Sequence, residues 1–358
     1  MPMSVDDLRG RIDELDARIL ELLLERAHLA AEIGSLKARG NGPVYAPDRE
    51  ARLMRALLER DLSPLDAEAV AAVFREVISV CRAAERRLRV AYLGPEHTFS
   101  HVAARSRFGQ SCDYLGQPSI ADVFRALEAG RADLGVVPIQ NSTEGVIALT
   151  LDSLLDTSLV ICAELYVPVH HYLMSAGSLD GLRRVHSHPQ VLAQCRGWLR
   201  EHLPGAELIP APSSAAAAGL AAGDPAIAAI APEAAAPAHG LTVLASNIED
   251  LPNNRTRFFV IGDRQPPPTG RDKTSIVFST PHRAGALHKA LGLLARHGIN
   301  LTMIQSRPAR GKLWEYVFFV DFTGHAEEEP QLQALADLRD YCALVKVLGA
   351  YPDESEPA

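Results

Sequence analysis

One arginine stands where an apolar side chain is due. Leu8, Ile12, Leu15, Ile19, Leu22, Leu29, Ile33 and Leu36 recur at alternating steps of four and three, the seam of a long helix packed on other helices. Arg26 falls in step with that series. A guanidinium driven into a packed face is costly unless an anion meets it. It pairs with a buried carboxylate, snorkels to the bundle edge, or receives an anionic ligand. Lys37 favours the ligand. It lies about 20° round the helix from Arg26, with Cα atoms about 16 Å apart, a gap two long side chains can close around a small dianion. Arg9 is about 25 Å from Arg26 along the axis and reaches the same ligand only if another chain supplies it. A homodimer sharing sites between subunits is therefore expected.

Five polar runs follow: Gly94-Pro95-Glu96-His97-Thr98-Phe99-Ser100, Pro138-Ile139-Gln140-Asn141-Ser142-Thr143-Glu144-Gly145, His188-Pro189-Gln190 through Gln194-Cys195, Ser213-Ser214, and Asn254-Arg255-Thr256-Arg257-Phe258. By itself Thr-Arg-Phe reads as a strand with alternating faces. Its weight comes from standing last in an ordered series.

The elements that must position these groups fall into three modules, as 358 residues suggest. Residues 6 to 38 read as one helix of roughly 50 Å, broken at Gly40 to Pro47. Helices from about Asp48 to Asp61 and from Pro64 to about Arg87 complete an all-helical module ending near Leu88. Buried-strand candidates then alternate with helical patterns. The strands are Val90 to Leu93, Leu134 to Pro138, Leu159 to Val167, Val185 to His186, Ala226 to Ile230 and Phe258 to Ile261, and the pattern is that of an α/β sheet with helices on both faces. Gln265 to Gly270, with three successive prolines, reads as a stiff linker. In the tail, a strand over Thr274 to Thr280 and a helix over Gly285 to His297 precede two strands, Ile299 to Arg307 and Leu313 to Phe322, paired across Arg310-Gly311-Lys312. A helix over Glu328 to Asp340 and a strand over Leu344 to Leu348 complete βαββαβ.

The bulk properties narrow the class. A net charge of −8 argues against nucleic acid. Met1 to Asp7 is acidic without an apolar core, so no secretory leader is expected. The Ala-rich stretch from Ala215 to Ala238 is broken by Asp224, Pro225, Pro232 and Glu233 and cannot span a bilayer. Cys81, Cys112, Cys162, Cys195 and Cys342 lack metal-ligand spacing. The expectation is a cytoplasmic protein without metal or cofactor; a dinucleotide fingerprint and a phosphate loop are absent from the sequence.

The first module resembles the all-helical class of chorismate mutase, on Arg9, Arg26, Lys37, the run Pro47-Asp48-Arg49-Glu50 and the pair Cys81 and Glu85. The resemblance implies that Arg26, Lys37 and the partner's Arg9 grip the two carboxylates of chorismate, with Arg49 also at the substrate, while Glu50 binds the ring hydroxyl. Glu85 stands where some members have Gln, Cys81 where they have Ser and Ala46 where they have Asp. Glu85 can donate to the breaking ether oxygen only when protonated, so a preference for mildly acid pH is expected of the mutase step.

The five polar runs resemble prephenate dehydratase, with His97 in place of Gly and Gln140 in place of Glu. That likeness implies that Thr256 addresses the leaving hydroxyl. Arg257, or helix N-termini near Thr98 and Ser213, would take the carboxylates, and Phe99, Ser100, Asn141, Ser142, Gln190, Ser214 and Phe258 would complete the pocket between two lobes. The tail resembles an ACT domain. Gly285-Ala286-Leu287, Asn300-Leu301 and Gln305-Ser306-Arg307-Pro308 would form a phenylalanine site, with Gln305 in place of Glu.

The order resembles the bifunctional chorismate mutase/prephenate dehydratase family, which implies a multidomain fold. An all-α mutase domain is expected over 1–88, a two-lobed α/β periplasmic-binding-protein-like dehydratase domain over 89–264, and an α+β (βαββαβ) ACT domain over 272–351. Chorismate and prephenate would be substrates and phenylalanine the inhibitor, acting through the dimer. A cut within Gln265 to Gly270 should abolish inhibition and leave dehydration. Two other readings remain for the middle module: arogenate as substrate, and a binding clamp without catalysis.

Overall fold

The computed structural model describes residues 4–40, 42–309 and 316–355, without the side chains of 38–40. The turn expected at Arg310-Gly311-Lys312, and the start of its following strand at Leu313, lie outside these. The chain forms two compact units, one of residues up to 89 together with 107–113, the other of 90–106 and everything from 114 onward.

The first unit holds three helices, α1 (Val5–Gly40), α2 (Pro47–Leu58) and α3 (Ala67–Glu85). A reciprocal cap starts α1: the Ser4 amide donates to Asp7 Oδ2 at 3.0 Å and the Asp7 amide to Ser4 Oγ at 3.1 Å. Pro47 opens α2, and Asp66 caps α3 by accepting from the Ala69 amide at 2.7 Å. The seam expected on α1 is uncovered over most of its length within one chain. Ile12 is 56% exposed, Leu22 62% and Leu36 65%.

Residues 107–113 belong to this helical unit, beyond the boundary expected near Leu88. Phe108 packs edge-on against Tyr45 with centroids 5.2 Å apart, and the Ser111 amide donates to Ser79 Oγ at 3.1 Å. Gly109 turns the segment at φ 73°, and a Cβ there would meet the Ser79 Cβ at 2.6 Å.

Three sheets build the second unit. The first has the order β2 (Asp113–Gln117), β1 (Arg89–Leu93), β3 (Leu134–Asn141), β11 (Arg255–Gly262), β5 (Val160–Pro168), with the short β4 (Gly145–Val146) paired to β3. The second runs β10 (Thr242–Ala245), β6 (Tyr172–Ser175), β9 (Ile227–Ala231), β7 (Arg184–Ser187), β8 (Glu207–Pro210). Each is a lobe, and the chain crosses between them twice. The crossings pair with each other: the Val169 amide donates to the Asn254 carbonyl at 2.8 Å and the Ile248 amide to the His171 carbonyl at 3.0 Å. Helices α4 (Phe99–Phe108), α5 (Ile120–Glu128) and α6 (Ala148–Asp156) go with the first lobe, and α7 (Pro189–Gln194), α8 (Arg196–His202), α9 (Ser214–Ala222) and α10 (Ala235–His239) with the second.

The third sheet, β13 (Leu301–Pro308), β14 (Tyr316–Thr323), β12 (Asp272–Ser279), β15 (Leu344–Pro352), carries α11 (Ala286–Arg296) and α12 (Gln331–Tyr341), the expected βαββαβ order. It shares a core with the first lobe. Phe259, Ile161 and Val137 pack in one cluster with Val277, Phe319, Leu348 and Tyr351. A Cβ on Gly349 would meet the Ile161 carbonyl oxygen at 2.1 Å, so only glycine admits this approach. Lys346 Nζ donates to the Leu154 and Leu155 carbonyls at 2.8 and 3.1 Å at the C-terminal end of α6, where the helix dipole favours a cation. Arg307 grips Asp152 of α6 with Nη2 at 2.9 Å.

The supposed linker is itself pinned. Gln265 Oε1 accepts from the Ala350 amide at 3.2 Å, and the Pro266 carbonyl lies 3.1 Å from His325 Nε2. A cut within Gln265 to Gly270 would therefore leave the shared core as the contact between the third sheet and the first lobe.

Candidate active sites

In the helical unit, Lys37 of α1 meets Glu85 of α3, with Nζ to Oε1 at 2.9 Å and Glu85 nearly buried. Gly34 makes this meeting possible, since a Cβ there would lie 2.5 Å from Glu85 Cγ. Gly34→Ala is accordingly expected to force α1 and α3 apart, cost about 1–3 kcal/mol of stability and depress the chemistry of this unit, read together by thermal unfolding and turnover. Arg26 is half-buried, with Nη1 3.5 Å from the Val77 carbonyl. Cys81 is buried, and Glu50 stands 3.5 Å from Arg82 Nη2. The buried Arg82 was missed by sequence reasoning. Its guanidinium lies over Tyr45 at 5.8 Å and Phe108 at 5.5 Å. Arg49 is exposed, and Arg9 is mostly exposed beside Asp6. One chain thus gathers Lys37 with Glu85 and leaves Arg9 facing solvent.

The second constellation lies where the two crossings leave the first lobe. Asn141, at the end of β3, donates through Nδ2 to Asn254 Oδ1 and to Thr256 Oγ1, each at 2.9 Å. Its Oδ1 accepts from the Thr143 amide at 3.0 Å, which fixes the amide orientation. Ser142 Oγ donates to Asn254 Oδ1 at 3.3 Å and accepts from the Arg255 amide at 3.0 Å. From the second lobe, Gln190 and Gln194 reach Glu144, the latter at 2.9 Å, and Gln194 Oε1 lies 2.7 Å from His171 Nε2. Burial raises the Glu144 carboxyl above its ordinary range, against the hydrogen bond from Gln194. Burial likewise lowers His171, so its neutral ring donates through Nε2 to Gln194.

Two helix N-termini stand as expected. Ser213 caps α9, accepting from the Ala216 amide at 3.0 Å, with Ser214 buried behind it. Thr98 precedes α4 and accepts from the His101 amide at 3.4 Å, while Ser100 is buried and Phe99 lies edge-on to His171 at 5.6 Å. His97 adopts φ 63°, the left-handed region where glycine rests without strain.

Two expectations are corrected here. Arg257 points to the opposite face of β11 from Thr256, where Glu164 and Asp321 hold it at 2.6 and 2.5 Å, so it offers nothing to a ligand in the cleft. Phe258 is 1% exposed and belongs to the core. The residues sequence reasoning missed, Asn254 and Glu144, lay inside the quoted runs. Their signal was chain proximity to Thr256 and Asn141, without a spacing rule to assign a role.

A third recess of about 400 Å³ lies on the third sheet, lined by Gly285, Ala286 and Leu287 together with Arg283, Tyr316 and Phe318. Gly285 takes φ 76° at the start of α11. Asn300, Leu301, Gln305 and Ser306 stand outside this lining, although Ser306 pairs in register with Phe318.

The chain matches three family models: chorismate mutase type II over residues 8–86, prephenate dehydratase over 90–266 and ACT domain over 274–340. It is 44% identical to the bifunctional chorismate mutase/prephenate dehydratase of Aquifex aeolicus, covering 98% of each chain. Against the Escherichia coli K12 protein of the same name it is 33% identical, covering 97% of this chain and 96% of that one. Among solved structures, prephenate dehydratase from Arthrobacter aurescens in complex with L-Phe is 36% identical with a TM-score of 0.69, covering 76% of this chain and 92% of that one.

Proposed function

Since the chain belongs to the bifunctional chorismate mutase/prephenate dehydratase family, we propose the roles of its residues on that footing. It rearranges chorismate to prephenate, converts prephenate to phenylpyruvate by decarboxylative dehydration, and is inhibited by phenylalanine.

The observation that carries the dehydratase assignment is Asn141 Nδ2 bonded to Thr256 Oγ1 at 2.9 Å. The amide occupies a lone pair of the threonine oxygen, which leaves the hydroxyl proton to be aimed at a substrate. In the reaction the ring carboxylate departs as carbon dioxide and its bonding electrons enter the ring. The carbon–oxygen bond opposite breaks, and hydroxide leaves as water once a proton is supplied. Thr256 supplies that hydrogen bond, and Asn141 and Asn254 hold it in place. The N-termini of α4 and α9 receive the carboxylates, a task Arg257 leaves to them. Gln190, Gln194 and Glu144 tie the lobes across the cleft.

For the mutase step, Lys37, Arg26 and the partner's Arg9 take the dianion, and Glu50 takes the ring hydroxyl. Glu85 exchanges Lys37 for the ether oxygen when chorismate enters. Because an amide donates at every pH, Glu85→Gln is expected to keep the mutase step running; loss of the step in a folded Glu85→Gln removes the donor role from this position. Phenylalanine occupies the recess at Gly285-Ala286-Leu287, with its ring against Phe318 and its carboxylate at the start of α11. The homodimer supplies Arg9 and covers the α1 seam.

The test is phenylpyruvate formation from chorismate, with and without phenylalanine. Product that falls on adding phenylalanine supports all three assignments; prephenate that accumulates unconverted overturns the dehydratase role.

A further inference from the structure

Directly behind the Thr256 strand lies a buried charge cluster that the dehydration chemistry does not use. Arg257 is 5% exposed, and its Nε donates to Glu164 Oε2 at 2.7 Å, its Nη1 to Asp321 Oδ2 at 2.5 Å and its Nη2 to Tyr351 Oη at 3.1 Å. Lys273 Nζ lies 2.9 Å from Glu164 Oε1 and 3.2 Å from Asp353 Oδ1. Ser275 Oγ donates to Asp321 Oδ1 at 2.6 Å, so the Tyr351 hydroxyl, 2.6 Å from Ser275 Oγ, donates to that serine oxygen in turn. Burial, reinforced by Asp321, holds the Tyr351 hydroxyl well above its ordinary range and keeps it a donor.

The cluster joins two sheets. Glu164 and Arg257 come from β5 and β11 of the first lobe; Lys273, Ser275, Asp321 and Tyr351 come from the third sheet. Removing one member leaves a charge buried without its partner, the most damaging change such a cluster can suffer.

Its position relative to the chemistry is specific. Thr256 and Arg257 are neighbours on β11 with opposite faces. In the pairing of β11 with β3 the register shifts between Arg257 and Phe258, one residue beyond the Thr256–Asn141 pair. Ladder hydrogen bonding to β3 is disrupted at such a shift, while the pairing with β5 runs unbroken from Arg255 to Val260, so it is on the β3 edge, toward Asn141, that the strand is least constrained. The anchorage of Arg257 stands at that point.

We propose that Arg257 is a positioning residue for dehydration: held by Asp321 and Tyr351 of the C-terminal sheet, it sets the placement of β11 that brings the Thr256 hydroxyl to Asn141. This rests on the reading of Thr256 as the hydroxyl that meets the leaving group. The third sheet is then part of the dehydratase framework as well as the seat of the effector.

The experiment uses the full chain with Asp321→Asn, Tyr351→Phe, Arg257→Met and Arg257→Lys. Asp321→Asn is expected to lower the dehydratase kcat about tenfold or more, with KM for prephenate within about threefold and the mutase rate unchanged. Tyr351→Phe moves kcat in the same direction by less, and Arg257→Lys recovers part of the rate lost in Arg257→Met. A folded Asp321→Asn with undiminished kcat overturns the proposal, as does a KM that rises while kcat holds. If Asp321→Asn does not fold, Tyr351→Phe decides alone, and wild-type kcat there overturns it. Thr256→Val separates the two claims. Retained dehydration in that variant defeats the reading of Thr256; its loss beside an undiminished Asp321→Asn defeats only the positioning role.

Discussion

Thr256→Val is expected to cut phenylpyruvate formation from prephenate by about 10²–10⁴-fold while chorismate is still consumed at the wild-type rate. Valine keeps the β-branched shape that suits a buried strand, so the substitution removes the hydroxyl and little else. Its structural cost is small. Asn141 Nδ2 loses one acceptor and keeps Asn254 Oδ1 at 2.9 Å. β11 stays paired with β3 and β5 through its backbone, which valine leaves intact. The loss then reports the missing proton donor rather than a collapsed cleft. Two readouts make the prediction sharp: the mutase rate certifies the first unit, and an unchanged KM for prephenate certifies that the cleft still binds. Dehydration within tenfold of wild type would remove Thr256 from the chemistry and turn attention to Glu144, the carboxyl that burial raises above its ordinary range.

What the sequence made legible follows the strength of its periodicities. The α1 pattern repeats over eight apolar positions and fixes a helix of nearly the length found. The tail shows its strands and helices in order because each is long enough to carry a period of its own. The strands that escaped notice include β2, β8 and β10, all at sheet edges. An edge strand needs no continuous apolar run, and β2 mixes exposed and half-buried positions along its length. Arg257 was misplaced for a related reason. Alternation shows that Thr256 and Arg257 face apart, but the face opposite the cleft is covered by a sheet contributed from residue 272 onward, and no local pattern announces that cover. Asn254 and Glu144 act through partners far away in the chain, Asn141 and Gln194, and a spacing rule does not reach that far. Gly34 has the plainest physical account after the fact: a helix interior tolerates glycine at a cost of about 1 kcal/mol, and here Glu85 fills the space a Cβ would take.

The exposed seam of α1 leads to the second large expected effect. Arg9→Ala and Arg26→Ala should each lower mutase turnover by about 10²-fold or more, since each removes a cation from a desolvated carboxylate. Mixed after co-expression or refolding, the two inactive proteins should regain about a quarter of the wild-type rate. A quarter is the figure for the proposed site, in which one subunit gives Arg26 and Lys37 and the other gives Arg9. Random pairing makes half the dimers mixed. In each mixed dimer one site takes its Arg9 from the Arg26→Ala chain and its Arg26 from the Arg9→Ala chain, and is complete; the other site lacks both. Within one chain Arg9 is mostly exposed and meets Asp6 alone among the described side chains, at 3.5 Å, and Ile12, Ile19 and Leu22 further along α1 are 56%, 54% and 62% exposed. Apolar residues at that spacing and exposure call for a second helix, and the proposed two-fold partner would bring its own Arg9 with it. Mixed dimers that form, as mass or tag exchange would show, yet stay inactive would place Arg9 outside the site and leave the seam a matter of assembly alone.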